Sequence, residues 1–378
     1  MKKFARVLLT LVCVLLFAAA AGAETIKLGF NIPMTGDIPK VGEMAKYSAE
    51  MLKEQINAAG GLEVGGKKYT LEFVYVDNET KPESAVNAAL KLIEGEKVLA
   101  MVGPMGSGRA IPAGEVANNQ KTVMVAPWST NPKTTLDRPY VFRACFLDDF
   151  QGPVAAKFAT EQLKAKTVYI VDDKTTYSQG LADNVEKMAA DGGLKVLGHE
   201  HVNQGDKDYS AILTKVKAAK PDVFYVSLQN SASAAPMLIQ VARMGIKTKI
   251  LAQDAVYHPQ LMELAKKDAE GVFLTFGYTD KETPAYKQFA DAYKKFGEPG
   301  AYSAYAYDST LAYLKAVKAA GGTDPEKVKA ELMKLEFEGA SKKIKYKENG
   351  DSGSNYVIQV VKDGKFTNYW NPETGQLF

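Results

Sequence analysis

The chain alternates between short apolar stretches and longer segments whose apolar positions recur every three or four residues. Met44, Tyr47, Met51 and Leu52 have this helical spacing, and Gly60 is a typical residue to end their helix. The stretches VLAMVG and TVMVAP are almost entirely apolar, which is typical of strands covered on both faces. Repeated strand–helix order predicts an α/β fold with parallel sheets flanked by helices.

The strand–helix pattern restarts after the segment VFRACFLDDFQG, which we predict to be a crossover between two α/β units of similar size. The closing stretch YVIQVVKDGKFTNYW predicts a β-hairpin that turns at Asp363-Gly364. No low-complexity linker separates the two units. Two lobes joined by several short crossovers are therefore expected, and such crossovers would behave as a hinge.

Residues 1–23 have the composition of a secretory signal peptide. A basic segment, MKKFAR, precedes an apolar run, and small residues end at Ala23 where a signal peptidase would cut. The run is too short for a good membrane span. Cys13 lies inside it without a preceding small residue, so lipoprotein processing is not expected. The sequence predicts export to the periplasm.

Charge argues against polyanionic partners. Loss of Lys2, Lys3 and Arg6 with the leader leaves 44 basic and 44 acidic residues, so no nucleic acid or anionic membrane is expected to bind. Cys145 is then the one remaining cysteine, which excludes an intramolecular disulfide. About 350 residues can bury an ample core without one.

The stretch LAMVGPMGSGRAIPAG has the strand–loop–helix layout of many phosphate sites. Gly103 and Gly108 have P-loop spacing, but Arg109 and Ala110 replace the lysine and the magnesium-binding hydroxyl. A dinucleotide fingerprint also fails, because Ile111 stands where its last glycine belongs. Nucleotide binding is therefore not expected.

A small carboxylate suits this loop better. A helix predicted to begin near Arg109 would offer free backbone N–H groups and the positive end of its dipole. Ser107 adds a hydroxyl donor in front of them, and together they could hold one carboxylate. The alternative is that Ser107 merely caps the helix.

Polar residues follow other predicted strands at the edge where open α/β sheets bind ligands. Ser129 and Thr130 follow TVMVAP, and the neighbouring Trp128 is either an apolar wall or part of the core. Tyr177 and Asp254 follow strands of the second unit. Asp254 either caps the next helix or pairs with a ligand ammonium.

An ordered set of motifs resembles the leucine/isoleucine/valine-binding protein family, the periplasmic receptors of ABC importers. The similarity extends from about Ile26 to near Phe366 through PMTGD, INAAGG, VGPMGS, APWSTNP, DDKTTYSQGL, DYSA and VARMGIKT. It implies two Rossmann-like lobes, a three-strand hinge, and an amino acid enclosed between the lobes. The expected boundaries are 24–147 plus 278–346 for the N-terminal lobe and 148–277 plus 347–378 for the C-terminal lobe.

The resemblance assigns a role to particular positions. Ser107 matches the serine that holds the ligand α-carboxylate, and Thr130 matches a threonine whose hydroxyl helps to hold the ligand. Trp128 stands where a small residue makes a backbone contact. Tyr177 matches a tyrosine of the second lobe, and Asp254 matches the acid, a glutamate in the best-known members, that takes the ammonium.

Departures from the family pattern concern the pocket's shape. Val41 stands where the best-known members place an aromatic ring, and Gly106 leaves additional room. A Trp128 side chain that fills the space left by Val41 would keep an apolar slot. The cysteines of the family's N-terminal disulfide are absent. The candidate ligand-binding residues are Ser107, Trp128, Ser129, Thr130, Tyr177, Asp254, Met105, Gly106 and Val41.

The sequence thus predicts a solute-binding protein that closes two lobes around a branched-chain or other apolar amino acid. The ligand would favour the closed state through its contacts with both lobes. The expected partners are the amino acid and the membrane permease of an ABC importer. We expect a monomer without cofactor or metal.

Three alternatives remain at this point. The same fold could bind another small carboxylate or amide, such as an aromatic acid, a short-chain acid or a urea-type solute, although Asp254 favours a ligand with an ammonium. It could be a ligand-sensing domain, although the end at Phe378 without a membrane span favours a free carrier. The third alternative is an enzyme. The G-x-S-x-G motif of serine nucleophiles is absent around Ser107, because Met105 replaces its first glycine.

Other chemistry-bearing residues favour structural roles. His199 and His201 in HEH are expected on an alternating, exposed strand face rather than around a metal. His258 precedes a proline and is expected in a loop. Cys145 has no nearby histidine motif and is expected in the core.

Overall fold

The computed structural model describes residues 24–353 and 355–378, so the predicted signal peptide lies outside the described residues. The strands are β1 (Glu24–Ile32), β2 (Leu62–Val64), β3 (Lys67–Asp77), β4 (Ala100–Val102), β5 (Val123–Ala126), β6 (Val141–Arg143), β7 (Thr167–Asp172), β8 (Lys195–His201), β9 (Val223–Ser227), β10 (Lys249–Ala252), β11 (Phe273–Gly277), β12 (Glu336–Glu338), β13 (Lys343–Lys345), β14 (Tyr356–Lys362) and β15 (Lys365–Trp370). The α-helices are α1 (Pro39–Ala58), α2 (Pro82–Leu90), α3 (Ser107–Asn119), α4 (Asp148–Glu161), α5 (Thr176–Asp191), α6 (Ser210–Ala219), α7 (Ser231–Arg243), α8 (Gln260–Ala265), α9 (Pro284–Tyr293), α10 (Ser303–Ala320) and α11 (Pro325–Lys334).

Two sheets organise these elements. The first has the order β2-β3-β1-β4-β5-β6, and the second has the order β15-β14-β11-β10-β9-β7-β8. Strands β1, β3, β4, β5 and β6 pair in parallel, as do β7 to β11 within the second sheet. Strands β5 and β9 are buried along their whole length, as is typical of strands covered on both faces. The predicted α/β fold with two Rossmann-like lobes is confirmed.

The predicted C-terminal hairpin is formed by β14 and β15, which pair antiparallel along the edge of the second sheet. Asp363 and Gly364 make its turn with φ values of 51° and 67°. Positive φ at both central residues is what a tight two-residue hairpin requires.

The chain passes between the two sheets three times, after β6, after β11 and before β14. Phe146 of the first crossover packs edge-on against Phe276, Tyr305 and Tyr356, which belong to the neighbouring elements of all three passages. Gly277 is required beside this cluster, because a Cβ there would lie 2.4 Å from the Phe146 ring. One aromatic cluster therefore joins the three segments that connect the two sheets.

Helix α10 returns to the first sheet although it follows the second in sequence. Ser48 of α1 donates a hydrogen bond to the Ser303 carbonyl at 2.8 Å, and the Tyr313 hydroxyl donates to the Leu99 carbonyl at 3.4 Å. Among the described residues, no helix is both long and apolar enough to cross a bilayer.

One helix boundary differs from the sequence prediction. The helix expected near Arg109 begins at Ser107, so that the serine itself is the first helical residue. Elsewhere, α2 ends at Leu90 and continues as a π-helical turn over Lys91–Gly95.

Candidate functional site

A cavity of about 470 Å³ lies between the two sheets, beyond the carboxyl ends of their parallel strands. Cavities of this size enclose small organic ligands. All the candidate ligand-binding residues except Met105 line it. Those residues are Val41, Gly106, Ser107, Trp128, Ser129 and Thr130 on the first-sheet side, and Tyr177 and Asp254 on the second-sheet side.

Met105 belongs to the core instead of the cavity wall. Its side chain is fully buried within the main hydrophobic cluster. Only its backbone takes part in the loop, where the Met105 carbonyl accepts a hydrogen bond from Arg109 Nε at 2.7 Å. The structure therefore gives no basis for a direct ligand contact by its side chain.

Ser107 presents its hydroxyl at the amino end of α3. The N-cap position is occupied by Gly106, which has φ of 85° and makes no side-chain capping bond. Ser107 Oγ accepts from the Asn131 backbone N–H at 3.3 Å and from Ser129 Oγ at 3.4 Å. The capping interpretation of Ser107 is therefore wrong, and the amino end of α3, with the positive end of its dipole, lies at the cavity wall.

Arg109 adds a fixed positive charge that the sequence analysis did not expect here. Its guanidinium is buried beside Gly106, and a Cβ at position 106 would lie 2.1 Å from Arg109 Nη2. Nη1 donates to the Thr80 carbonyl at 3.3 Å, whereas Nη2 has no hydrogen-bond partner among the described residues. Burial lowers the pKa of Arg109 to about 10, so the group stays charged at neutral pH.

Asp254 is the buried acid of the second-sheet side. Its Oδ1 accepts from the Tyr177 hydroxyl at 2.6 Å and from Gln151 Nε2 at 2.8 Å, and its Oδ2 accepts from Trp128 Nε1 at 3.0 Å. The carboxylate is thus held by side chains, and it does not cap the short turn that follows. Burial raises its pKa, and these three donors oppose the rise.

Trp128 forms both a wall and a bridge. Its ring stacks on Tyr302 with centroids 3.5 Å apart, and both residues line the cavity. The indole follows β5 of the first sheet, while its acceptor Asp254 follows β10 of the second. One side chain therefore supplies apolar surface to the pocket and a hydrogen bond across it.

A second buried acid stands behind Asp254. Gln151 Nε2 donates to Asp148 Oδ1 at 3.1 Å as well as to Asp254, and Gln151 Oε1 accepts from Thr275 Oγ1 at 2.5 Å. Burial, with the charge of Asp254 in addition, raises the pKa of Asp148 to about 8. At neutral pH Asp148 is therefore mostly protonated.

We expect Asp148→Asn to stabilise the protein in a pH-dependent way. The Asp148 pKa rises from 3.8 to about 8 on folding, so between these values the folded state holds one proton more than the unfolded chain. The free energy of unfolding of the natural protein then falls as pH rises through this window. At pH 8 the free energy of unfolding of the variant should exceed that of the natural protein by a few kcal/mol, since each pKa unit corresponds to at most about 1.4 kcal/mol. Near pH 4 the two proteins should be almost equally stable.

Urea unfolding between pH 4 and 8.5 measures this difference. Asp149→Asn is the matched control, because the neighbouring acid is exposed and should show no such trend. A stability gap that stays constant across the range would contradict a buried, protonated Asp148.

The loop that carries Ser129 and Thr130 is anchored by a buried ion pair. Arg143 is fully buried, and its Nε donates to Asp351 Oδ1 at 2.7 Å. Its Nη1 donates to the carbonyls of Ser129 and Asn131 at 2.8 and 2.9 Å. The guanidinium also contacts the Pro132 carbonyl and Thr135 Oγ1.

The remaining chemistry-bearing residues have mixed outcomes. Cys145 is a free, buried thiol whose sulfur accepts from the Ser129 N–H at 3.2 Å. His258 lies in a loop as expected, but it also lines the cavity. The expectation that His199 and His201 form a plain exposed face is wrong, because ring nitrogens of both contact the buried Asp172.

Chemically, the cavity offers donors and positive charge on one wall and a carboxylate on the other. Arg109, Gln151 and Tyr302 are the contributors that sequence reasoning missed. Of these, only Arg109 had a local signal, since it follows the glycine-rich loop. Gln151 and Tyr302 reach the site from segments that no motif connects to it.

Comparison with known proteins gives a consistent result. A family model described as periplasmic binding protein matches residues 25–365. The chain is 33% identical over 333 residues to a leucine-, isoleucine-, valine-, threonine- and alanine-binding protein of Pseudomonas aeruginosa, covering 87% of each chain. A leucine-binding protein of Thermotoga maritima has a TM-score of 0.86 and 33% identity, over 93% of this chain and 100% of that one.

Two further solved structures differ in their bound ligands. A branched-chain amino acid transporter substrate-binding protein of Streptococcus pneumoniae, in complex with isoleucine, matches with a TM-score of 0.81 and 27% identity, over 91% of this chain and 98% of that one. A solute-binding protein of R. palustris in complex with benzoate matches with a TM-score of 0.80, over 91% of this chain and 95% of that one. Its 20% identity shows a shared fold alone.

Proposed function

The chain belongs to the periplasmic binding protein family, and from this premise we propose that it captures an apolar α-amino acid, with branched-chain residues as the first candidates. Asp254 carries the proposal, because a buried carboxylate in the cleft suits a ligand ammonium. The bound molecule would then pass to the permease of an ABC importer. The protein would act as a carrier and would catalyse no reaction.

The two walls match the two charged ends of an amino acid. The ligand carboxylate would lie on Ser107 Oγ and the first N–H groups of α3, with Arg109 as the positive charge behind them. Thr130 lies buried in the cavity wall beside Asp148, so its hydroxyl would add a further contact for the ligand. The ammonium would lie against Asp254 on the opposite wall.

The space between these ends suits an apolar side chain. Val41, Met44, Trp128 and Tyr302 supply aliphatic and aromatic surface to the cavity. Burial of a branched side chain against such surface contributes about 1.5–3 kcal/mol. Trp128 thereby provides the apolar wall that an aromatic residue at position 41 would otherwise offer.

Closure follows from contacts on both walls. A ligand that touches Ser107 and Asp254 together has greater affinity for the closed arrangement, and this difference shifts the equilibrium of the hinge. The lobes would comprise residues 24–147 with 278–346 and residues 148–277 with 347–378. Membership of the family implies a periplasmic location, with residues 1–23 as the proposed export signal. The proposed carrier is a monomer.

Another small carboxylate is the second candidate. The stacked Trp128–Tyr302 pair could also face an aromatic ring, and the R. palustris protein of this fold is in complex with benzoate. Such a ligand would leave Asp254 without a cationic partner, which is the reason to rank it second.

Direct binding distinguishes the two candidates. Protein purified without refolding is titrated calorimetrically with leucine, isoleucine, valine and benzoate, and native mass spectrometry identifies any co-purified ligand. We expect a branched-chain amino acid to bind at least ~100-fold more tightly than benzoate, since charge-assisted contacts contribute roughly 1.5–3 kcal/mol each. Tight binding of benzoate with none of the amino acids would overturn the proposal.

A further inference from the structure

A cluster of metal-ligand side chains lies outside the cleft, where β7 and β8 end side by side. His199 Nε2 lies 2.8 Å from Asp172 Oδ2, and His201 Nδ1 lies 2.6 Å from the same oxygen. The two histidines stand on one face of β8, and Asp172 ends β7. One ring nitrogen of each histidine and one carboxylate oxygen thus lie within 4.8 Å of one another.

We propose that Asp172, His199 and His201 bind a divalent transition-metal ion, for which zinc is the reference. Imidazole and carboxylate are the ligands that zinc takes in sites with three protein donors. Bonds of about 2.0–2.2 Å hold such donors roughly 3–3.5 Å apart, so the His199–Asp172 and His201–Asp172 distances of 2.8 and 2.6 Å would need to lengthen by less than about 1 Å to admit the ion.

The surrounding contacts are those of a supported metal site. His199 Nδ1 lies 2.8 Å from Glu186 Oε2, and a ligating histidine usually gives its other N–H to a carboxylate in this way. Asp172 Oδ1 accepts the Lys174 N–H at 2.7 Å, which fixes the carboxylate and leaves Oδ2 for the cluster. Glu200, between the histidines, instead pairs with Lys215 at 2.8 Å.

The three side chains are buried to different degrees, which leaves one side of the cluster accessible to a water ligand. Asp172 is fully buried and the His199 side chain is 9% exposed, whereas the His201 side chain is 39% exposed. Water could therefore complete the coordination from the His201 side. The cluster adjoins the turn that runs from Asp172 to Tyr177, so an ion there would stiffen the segment that carries Tyr177 into the cleft.

Zinc titration of the full mature chain without a histidine tag tests the proposal. The chelator-treated protein is titrated with zinc calorimetrically and with cobalt(II) by visible absorbance. We expect one equivalent of zinc to bind with micromolar or tighter affinity, and cobalt to show the intense absorption of a low-symmetry nitrogen–oxygen site. His201→Ala, a change at a half-exposed position, should weaken binding by more than about 100-fold, and Glu186→Gln by about 10–100-fold.

Two control variants distinguish zinc bound at Asp172, His199 and His201 from zinc bound elsewhere on the chain. His258→Ala removes the third histidine of the chain, and Glu200→Gln changes the acid between the two ligands, so both should keep full zinc affinity. Absence of stoichiometric binding would show a hydrogen-bonded His–Asp–His cluster only. The assignment would be overturned if His201→Ala left zinc binding unchanged, or if Glu186→Gln abolished binding while His201→Ala did not. Either result would place the ion among Asp183, Glu186 and His199 instead.

Discussion

Asp254→Asn should lower the affinity for leucine at least ~100-fold while the protein remains folded. The substitution preserves the shape of the side chain but removes the buried negative charge on which the proposed ammonium depends. Breaking one side of a buried charge pair costs about 3–5 kcal/mol, because the other charge is left uncompensated. Isothermal titration of both proteins with leucine measures the change.

A ligand that lacks the amino group tests whether the loss of leucine affinity in Asp254→Asn is due to the ammonium. 4-Methylpentanoate is leucine without its amino group, so it should bind the natural protein weakly. In Asp254→Asn its affinity should fall less than that of leucine, or should rise. Glu263→Gln is the matched control, since Glu263 lines the same cavity at an exposed position and its charge is screened. Equal losses for leucine and 4-methylpentanoate would mean that Asp254 shapes the cleft and does not bind the ammonium.

Asp351→Ala should lower the free energy of unfolding by about 3–5 kcal/mol, because it strands the charge of Arg143 in the interior. Arg143 is fully buried and the Asp351 side chain is only 9% exposed, so water cannot replace the missing carboxylate. Urea unfolding at neutral pH measures the loss. The affinity for the ligand should fall as well, since Arg143 also positions Ser129.

A double variant and a surface pair complete this experiment. Arg143→Met combined with Asp351→Leu removes both charges and should cost less than Asp351→Ala alone. Glu282→Ala breaks the exposed pair with Lys287 and should change stability by no more than ~1 kcal/mol. If Asp351→Ala behaved like Glu282→Ala, the buried pair would have no special role in the fold.

The fold and much of the cleft could be predicted because both follow from local patterns. Apolar strands and amphipathic helices fix the α/β order, and parallel strands bring their carboxyl ends to one edge. Ser107 and Asp254 each follow such a strand, and the structure brings both to one cavity. Their roles in ligand binding stay predictions until the titrations above.

The errors and omissions have equally local causes. The position of Met105 beside Gly106 and Ser107 predicts a place in the cavity wall, but its side chain enters the core. Gln151 and Tyr302 could not be found from spacing, because the crossovers bring them to Asp254 and Trp128 from distant parts of the chain. The histidine pair shares one strand face, but the sequence does not show that Asp172 of a neighbouring strand lies opposite.

Arg143 holds the loop at residues 129–132 through backbone carbonyls, while Ser129 and Thr130 of the same loop line the cavity. A carbonyl is the same whichever amino acid carries it. Evolution can therefore exchange Ser129 or Thr130 for residues that suit a new solute without rebuilding the anchor beneath them. Such a separation of support from recognition makes the scaffold easy to diversify, and a laboratory redesign of its selectivity would do well to begin at these two positions.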